Sequence, residues 1–183
     1  MAIRSETRAE RYASKTPTAK HFPISVAATN FSNHQNVAFI ARALACFGGE
    51  SLEIIGKAPS QKEMKAYSAG NADLIKINTH RNPTEFIEYC IKNGYYIIAS
   101  ELTEDAISIH DFKLPEKRSF SIPDWKFMVV IGNEMDGCPQ EILTKADAKV
   151  YIPMYGSGWS INASQAANVL LYEFTKRLNY EQT

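Results

Sequence analysis

The chain has 183 residues, 45% of them apolar and 22% charged, enough for one domain with its own core, which excludes a disordered chain and a disulfide scaffold. Twenty basic and twenty acidic side chains give zero formal charge, which argues against a chain built mainly to hold polyanions. No apolar run is long enough to span a membrane and the first residues, MAIRSETRAERYASK, lack the apolar centre of a secretion signal, so a cytoplasmic protein is expected.

Residues 1–22 form a basic N-terminal segment. Within residues 1–20, Arg4, Arg8, Arg11, Lys15 and Lys20 stand against Glu6 and Glu10, a surplus of three positive charges. Charge alone does not choose between a solvated tail or first helix and an arm that touches a polyanion. A globular domain is expected over 23–183. Within it, Ile24 to Thr29, Ser51 to Ile55, Leu74 to Ile77, Tyr95 to Ala99, Phe127 to Ile131 and Lys149 to Met154 read as strands. Most are continuous apolar runs, the pattern of strands buried on both faces. Helical patterns alternate with them, so the fold class is α/β, with a mainly parallel sheet and flanking helices.

After the first strand, Val37, Ile40, Ala41, Leu44 and Phe47 make a helical apolar stripe that Gly48-Gly49 ends. Pro83 to Lys92 predicts a second helix, closed by Asn93-Gly94, and Ala163 to Leu178 predicts a third. The stretch from Thr103 to Lys126, polar and carrying Pro115 and Pro123, reads as a surface connection.

Ligands of open parallel sheets bind beyond the carboxyl ends of the strands. Three such loops carry chemistry: Asn30 to Asn36, leading to the helix with Arg42; Gly132-Asn133-Glu134-Met135-Asp136-Gly137; and Tyr155-Gly156-Ser157-Gly158-Trp159-Ser160-Ile161-Asn162. Pro153 should end the last strand, and the following glycines let backbone approach a ligand. Each polar residue also has a plain structural reading. Asn36 suits the start of a helix, where it would bond orphan amides; Asn162 suits a helix cap, with Ser160 or Ser164 sharing the task; Glu134 suits a turn; and Arg42 suits the edge of a buried stripe. Their coincidence at three strand ends favours a site.

No GxGxxG follows the first strand and no Walker A loop occurs, which disfavours nicotinamide, flavin and P-loop nucleotide sites. Cys46, Cys90 and Cys138 form no CxxC pair, and His21, His34, His80 and His110 are scattered, so reduced thiols and no metal site are expected. Nothing near Cys138 in sequence signals the base that a nucleophile would need.

Asn36 with Arg42, the run Gly132 to Gly137, and Ile152-Pro153-Met154 with Ser160-Ile161-Asn162 together resemble the SpoU/TrmH family of RNA ribose 2′-O-methyltransferases. The likeness runs from about Ile24 to Leu178 and includes Ser68-Ala69-Gly70 and Ala99-Ser100-Glu101-Leu102. It is most similar to the tRNA-guanosine branch. The resemblance implies a C-terminal deep trefoil knot, bound S-adenosylmethionine and a homodimer with the last helix and first motif at its interface. It further implies that Leu102, Gly132, Ile152 and Ile161 line the adenosine site, and that Arg42, Asn36, Glu134, Ser160 and Asn162 form the catalytic cluster. Trp159, Ile161 and Ala163 depart from the family's usual residues.

The implied reaction moves a sulfonium methyl to a ribose 2′-hydroxyl without a metal. An arginine has a solution pKa above about 12, so neutralising one near pH 7 would cost about 7 kcal/mol. Arg42 is therefore expected to orient the 2′-oxygen and stabilise its developing charge, held by Asn36, Glu134 and Asn162, while the proton leaves through a substrate phosphate or water. The RNA substrate is expected to be tRNA rather than rRNA. The rivals are a catalytically silent knotted module and a small-molecule methyltransferase.

Overall fold

A computed structural model describes Thr7, Glu10, residues 19–116 and residues 125–181. Most of the basic segment, including Arg4, Arg8, Arg11 and Lys15, lies outside the described residues. The strands are β1 (Ile24–Thr29), β2 (Ser51–Ile55), β3 (Lys76–His80), β4 (Tyr95–Ser100), β5 (Ile107–Ser108), β6 (Lys126–Ile131) and β7 (Ala148–Tyr151). The helices are α1 (His34–Phe47), α2 (Gln61–Tyr67), α3 (Pro83–Lys92), α4 (Gln140–Lys145) and α5 (Ala163–Glu181).

All the strands join one parallel sheet in the order β3-β2-β1-β6-β4-β7-β5. Alternation along each strand divides the core in two. Ile24, Val26 and Ala28 of β1, Ile98 of β4, and Phe127, Val129 and Ile131 of β6 face α1 and α5. Ala27, Ile97, Ala99, Met128 and Val130 face α3 and α4 through Phe86, Ile87, Cys90, Ile142 and Leu143. Both faces are therefore apolar, which is why these strands read as unbroken hydrophobic runs.

The helix ends follow local chemistry. Asn33 caps α1, its Oδ1 accepting from the Gln35 amide at 3.0 Å, and Gly48 closes the helix at φ 73°. Asn82 caps α3, with Pro83 in its first turn. A reciprocal capping box, Ser60 with Glu63, starts α2.

Three expectations are corrected. The third strand begins at Lys76, because Asn71–Leu74 form a single 3₁₀ turn entered through left-handed Gly70, and the ladder with β2 runs from Ser51↔Lys76 to Ile55↔His80. The last strand ends at Tyr151 rather than Met154: its pairing with β5 stops at Ser108↔Tyr151, and Pro153 has no N–H to extend it. The connection after β4 is no mere surface path. It supplies β5 and buries Ile109, Phe112, Leu114 and Trp125 in the core, with Trp125 Nε1 donating to the Pro115 carbonyl at 2.9 Å.

Candidate active site

The ladder aligns the strand ends that carry the loops. Ser100 of β4 is level with Ile131 of β6 and with Val150 of β7. Leu102, Gly132 and Ile152, one or two residues further on, thus stand on neighbouring strand ends. Leu102 is 74% exposed, and Ile161 is also exposed in the segment leading into α5. These two apolar side chains lie open at the edge where ligands of parallel sheets bind.

Packing explains the glycines of the second loop. A Cβ on Gly132 would sit 2.3 Å from the Gly137 carbonyl carbon, because Asn133 and Gly137 exchange backbone hydrogen bonds and fold the loop back on itself. Gly137 has φ +70°, and a Cβ there would meet Glu101 Oε2 at 2.4 Å. Asn133 Oδ1 accepts from the Met135 and Asp136 amides at 2.8 and 2.7 Å, leaving Glu134 at the exposed tip.

Glu101 is a site-building residue that sequence reasoning missed. Its carboxylate accepts from the Cys138 amide at 2.8 Å and from the Leu102 amide at 3.1 Å, tying the β4 loop to the β6 loop. The available signal was an acidic residue immediately after an apolar strand. Burial, with the Glu101 charge beside it, pushes the Cys138 thiol up to about 12, which suits a packed side chain rather than a nucleophile.

A chain of hydrogen bonds joins three of the expected catalytic residues. Asn36 is buried on the first turn of α1 and donates through Nδ2 to Glu134 Oε1 at 2.5 Å. Asn162 Nδ2 donates in turn to Asn36 Oδ1 at 3.1 Å. Ser32 Oγ adds a longer contact to Glu134 Oε2, at 3.4 Å. Asn162 Oδ1 also accepts from the Ser164 amide and hydroxyl at 2.8 and 2.7 Å, so this residue both caps α5 and reaches α1.

Two readings change. The capping at the start of α1 belongs to Asn33, and Asn36 spends its amide on Glu134 and Asn162. Nor do Asn36, Glu134 and Asn162 grip Arg42. They bond one another, and the exposed guanidinium has no hydrogen bond or ion pair among the described residues. Arg42 instead shares a groove of about 640 Å³ between α1 and α5 with Asn36, Phe39, Asn162, Ser164 and Asn168. Ser160 is exposed two residues before Asn162 and, among the described residues, makes no such bond. Among the described residues, no three His, Cys, Asp or Glu side chains converge as a metal site would require.

Fold and site together define an α/β domain that works from the carboxyl edge of a parallel sheet, with polar residues from three loops meeting beside a helix-borne arginine. The chain belongs to the SpoU rRNA Methylase family, whose sequence profile matches residues 23–172. The tRNA (guanosine(18)-2′-O)-methyltransferase of Escherichia coli strain K12 is 26% identical over 138 residues, which cover 75% of this chain and 56% of that relative. The chain thus spans little more than half the length of that relative. The crystal structure of the A. aeolicus TrmH/SpoU tRNA modifying enzyme matches with a TM-score of 0.75 at 23% identity, covering 94% of this chain and 83% of that one. An AdoMet bound rRNA methyltransferase from Sinorhizobium meliloti matches with a TM-score of 0.75 at 22% identity, covering 87% of this chain and 58% of that one. Both structural likenesses are likenesses of fold.

Proposed function

We infer that the protein transfers a methyl group from S-adenosylmethionine to a ribose 2′-hydroxyl of RNA, with tRNA favoured over rRNA. The reading rests above all on the hydrogen-bonded series Asn162, Asn36, Glu134 beside Arg42, drawn from loops far apart in sequence. Family membership and the names of the relatives support it.

The residues present suit the cofactor. Neighbouring strand ends offer backbone groups at Gly132 and Ile152, while exposed Leu102 and Ile161 offer apolar surface to an adenine ring. Bound there, S-adenosylmethionine would supply an electrophilic methyl group. The protein's own part is placement and charge. Arg42, whose donors are not committed elsewhere among the described residues, orients the 2′-oxygen and stabilises the negative charge that builds on it. Asn36, Glu134 and Asn162 hold the groove beside it to one shape. Ser160 is exposed at the loop edge, where its hydroxyl is placed for a second contact with the nucleotide. The proton leaves to a substrate phosphate or to water.

The domain spans residues 23–183, with the basic segment 1–22 as an RNA-touching arm. A trefoil knot at the C-terminus is in keeping with the strand order, in which β6 returns between β1 and β4 and β7 between β4 and β5. The active form is a cytoplasmic homodimer in which α1 and α5, bearing exposed Phe39, Val169 and Tyr172, face their counterparts. Among the described residues no helix is long and apolar enough to cross a membrane.

The test pairs calorimetry for S-adenosylmethionine with tritiated-methyl transfer to bulk tRNA and rRNA. Arg42→Ala should lose nearly all transfer and keep cofactor affinity within about threefold, the separation expected when a group acts in the transition state. Transfer at the normal rate by Arg42→Ala defeats the assigned role. Cofactor binding with no transfer to any RNA by the unaltered protein favours a silent module, and transfer independent of RNA favours a small-molecule enzyme.

A further inference from the structure

The loop from Met154 to Ile161 has chemistry that the site described so far does not use. Every residue in it is exposed. Trp159 is 94% exposed and Tyr155 86%, and among the described residues the indole makes no ring contact or hydrogen bond. The Tyr155 ring lies nearly parallel to that of His110, at 20° and 6.4 Å between centroids. Gly156 and Gly158, which flank Ser157, have no neighbour within 4 Å of a would-be Cβ, and neither has a positive φ. Neither crowding nor left-handed backbone demands glycine at these positions. What glycine does supply is freedom of movement and an open approach.

Leaving a whole indole in water forgoes the burial that usually stabilises so large a ring. Its position narrows what could cover it. Trp159 directly precedes Ser160 and lies three residues before Asn162, so at 3.3–3.6 Å per residue its Cα is within about 11 Å of the Cα of Asn162, whose side-chain amide bonds Asn36. A nucleotide with its ribose beside Arg42 carries its own base, or a flanking one, over that distance. Charge points the same way. A chain with zero formal charge has little net electrostatic attraction for phosphates beyond what its basic segment supplies, which leaves room for a further source of RNA affinity. Base stacking on aromatic side chains is that source in single-strand binders, and it tolerates any sequence because every base has a π face.

We propose that Trp159, in the same loop as Tyr155, whose ring stacks on His110 of the segment after β5, is a stacking platform for a nucleobase of the RNA substrate, set next to the reacting ribose. The proposal rests on the RNA methyltransferase reading above and names the recognition element of that site. Trp159 acts in binding and positioning, not in the chemical step.

Two measurements on the full chain test it. The difference in tryptophan emission between the unaltered protein and Trp159→Phe isolates this indole without disturbing buried Trp125. Oligoadenylate should quench that difference, whereas an abasic phosphodiester oligomer of equal length, with the same phosphates and no bases, should not. In methyl transfer, Trp159→Ala should raise KM for unfractionated tRNA about tenfold to hundredfold, with KM for S-adenosylmethionine changed less than threefold, and Trp159→Phe should recover most of the loss. Equal quenching by the abasic oligomer overturns the proposal, as does an unchanged KM for tRNA in Trp159→Ala. So does blue-shifted emission that turns red as the protein is diluted, which would mean that a second copy covers the ring. Base-dependent quenching in a protein that methylates no RNA leaves the platform standing and removes the reaction. Normal transfer with an unaltered KM does the reverse.

Discussion

Glu53 carries a carboxylate into the sheet, fully buried on β2 beside the edge strand β3, and the surrounding side chains explain how it is tolerated. His80 Nε2 lies 2.7 Å from its Oε2, while Asn78 Nδ2 and Ser51 Oγ donate to its Oε1 at 2.8 and 2.7 Å. Burial raises the pKa of this carboxyl, but the hydrogen bonds from His80, Ser51 and Asn78 outweigh it, and the group titrates below the ordinary 4.5. A depressed folded-state pKa contributes stability that is present above the unfolded value and is lost as pH falls through the folded one. Urea unfolding midpoints should therefore hold steady down to about pH 4.5 and then drop, and in Glu53→Gln that acid-side drop should shrink. Glu53→Ala should cost about 3–5 kcal/mol at neutral pH, because it leaves buried polar partners unmatched. The same logic separates the asparagines of the site. Asn33 and Asn36 are three residues apart and of one type, and only the tertiary contact with Glu134 and Asn162 shows which one caps and which one bridges.

Elements with strong local signals are legible in the sequence, and those that depend on distant partners are not. The sequence pattern places β1, β2 and α3 at their observed bounds, α1 with its glycine stop, and β4 and β6 to within one residue. β5 has two residues, too few for any periodicity, and exists because β7 offers it an edge. The short helices α2 and α4 show no apolar stripe, although the Ser60 to Glu63 spacing that caps α2 is visible. In the site, the strand-end loops can be read from glycine and asparagine, but the Glu101 strut cannot, since its partner Cys138 lies 37 residues away. Gly132→Ala should cost about 1–3 kcal/mol by overpacking the folded-back loop and should weaken S-adenosylmethionine binding at least tenfold, as thermal melts and calorimetry would register. α5 is pinned by Arg177, whose Nη2 donates to the Ile109 carbonyl at 2.6 Å, whose Nη1 donates to the Phe112 carbonyl, and whose Nε donates to Glu173 at 2.8 Å. Arg177→Ala should lose about 2–3 kcal/mol in urea unfolding and speed amide exchange from Ile107 to Phe112, which Arg177→Lys should only partly restore.

For the molecule as a whole, electrical neutrality shapes any encounter with RNA. Attraction of phosphates is left to local clusters, and the segment before the domain supplies four cations up to Lys15. Removing residues 1–18 should flatten the dependence of RNA affinity on salt by at most about three in the log–log slope, at about 0.7 for each phosphate of single-stranded RNA that is no longer neutralised. Sedimentation at low micromolar concentration should give twice the 20.5 kDa chain mass, and a fully active monomer would remove the dimer from the mechanism. The hydrogen bond between Asn162 and Asn36 links the last helix to the first, across 126 residues. During synthesis the site therefore cannot be completed until Asn162 and α5 have emerged. A nascent chain halted before Asn162 already holds the completed sheet and Arg42, yet lacks one wall of the groove and the donor to Asn36. Truncated products should be inert, and destabilised as well, because they also lack Leu170, Leu171, Phe174 and Leu178, which cover one face of the sheet, so competence for the reaction also certifies that translation has passed through α5.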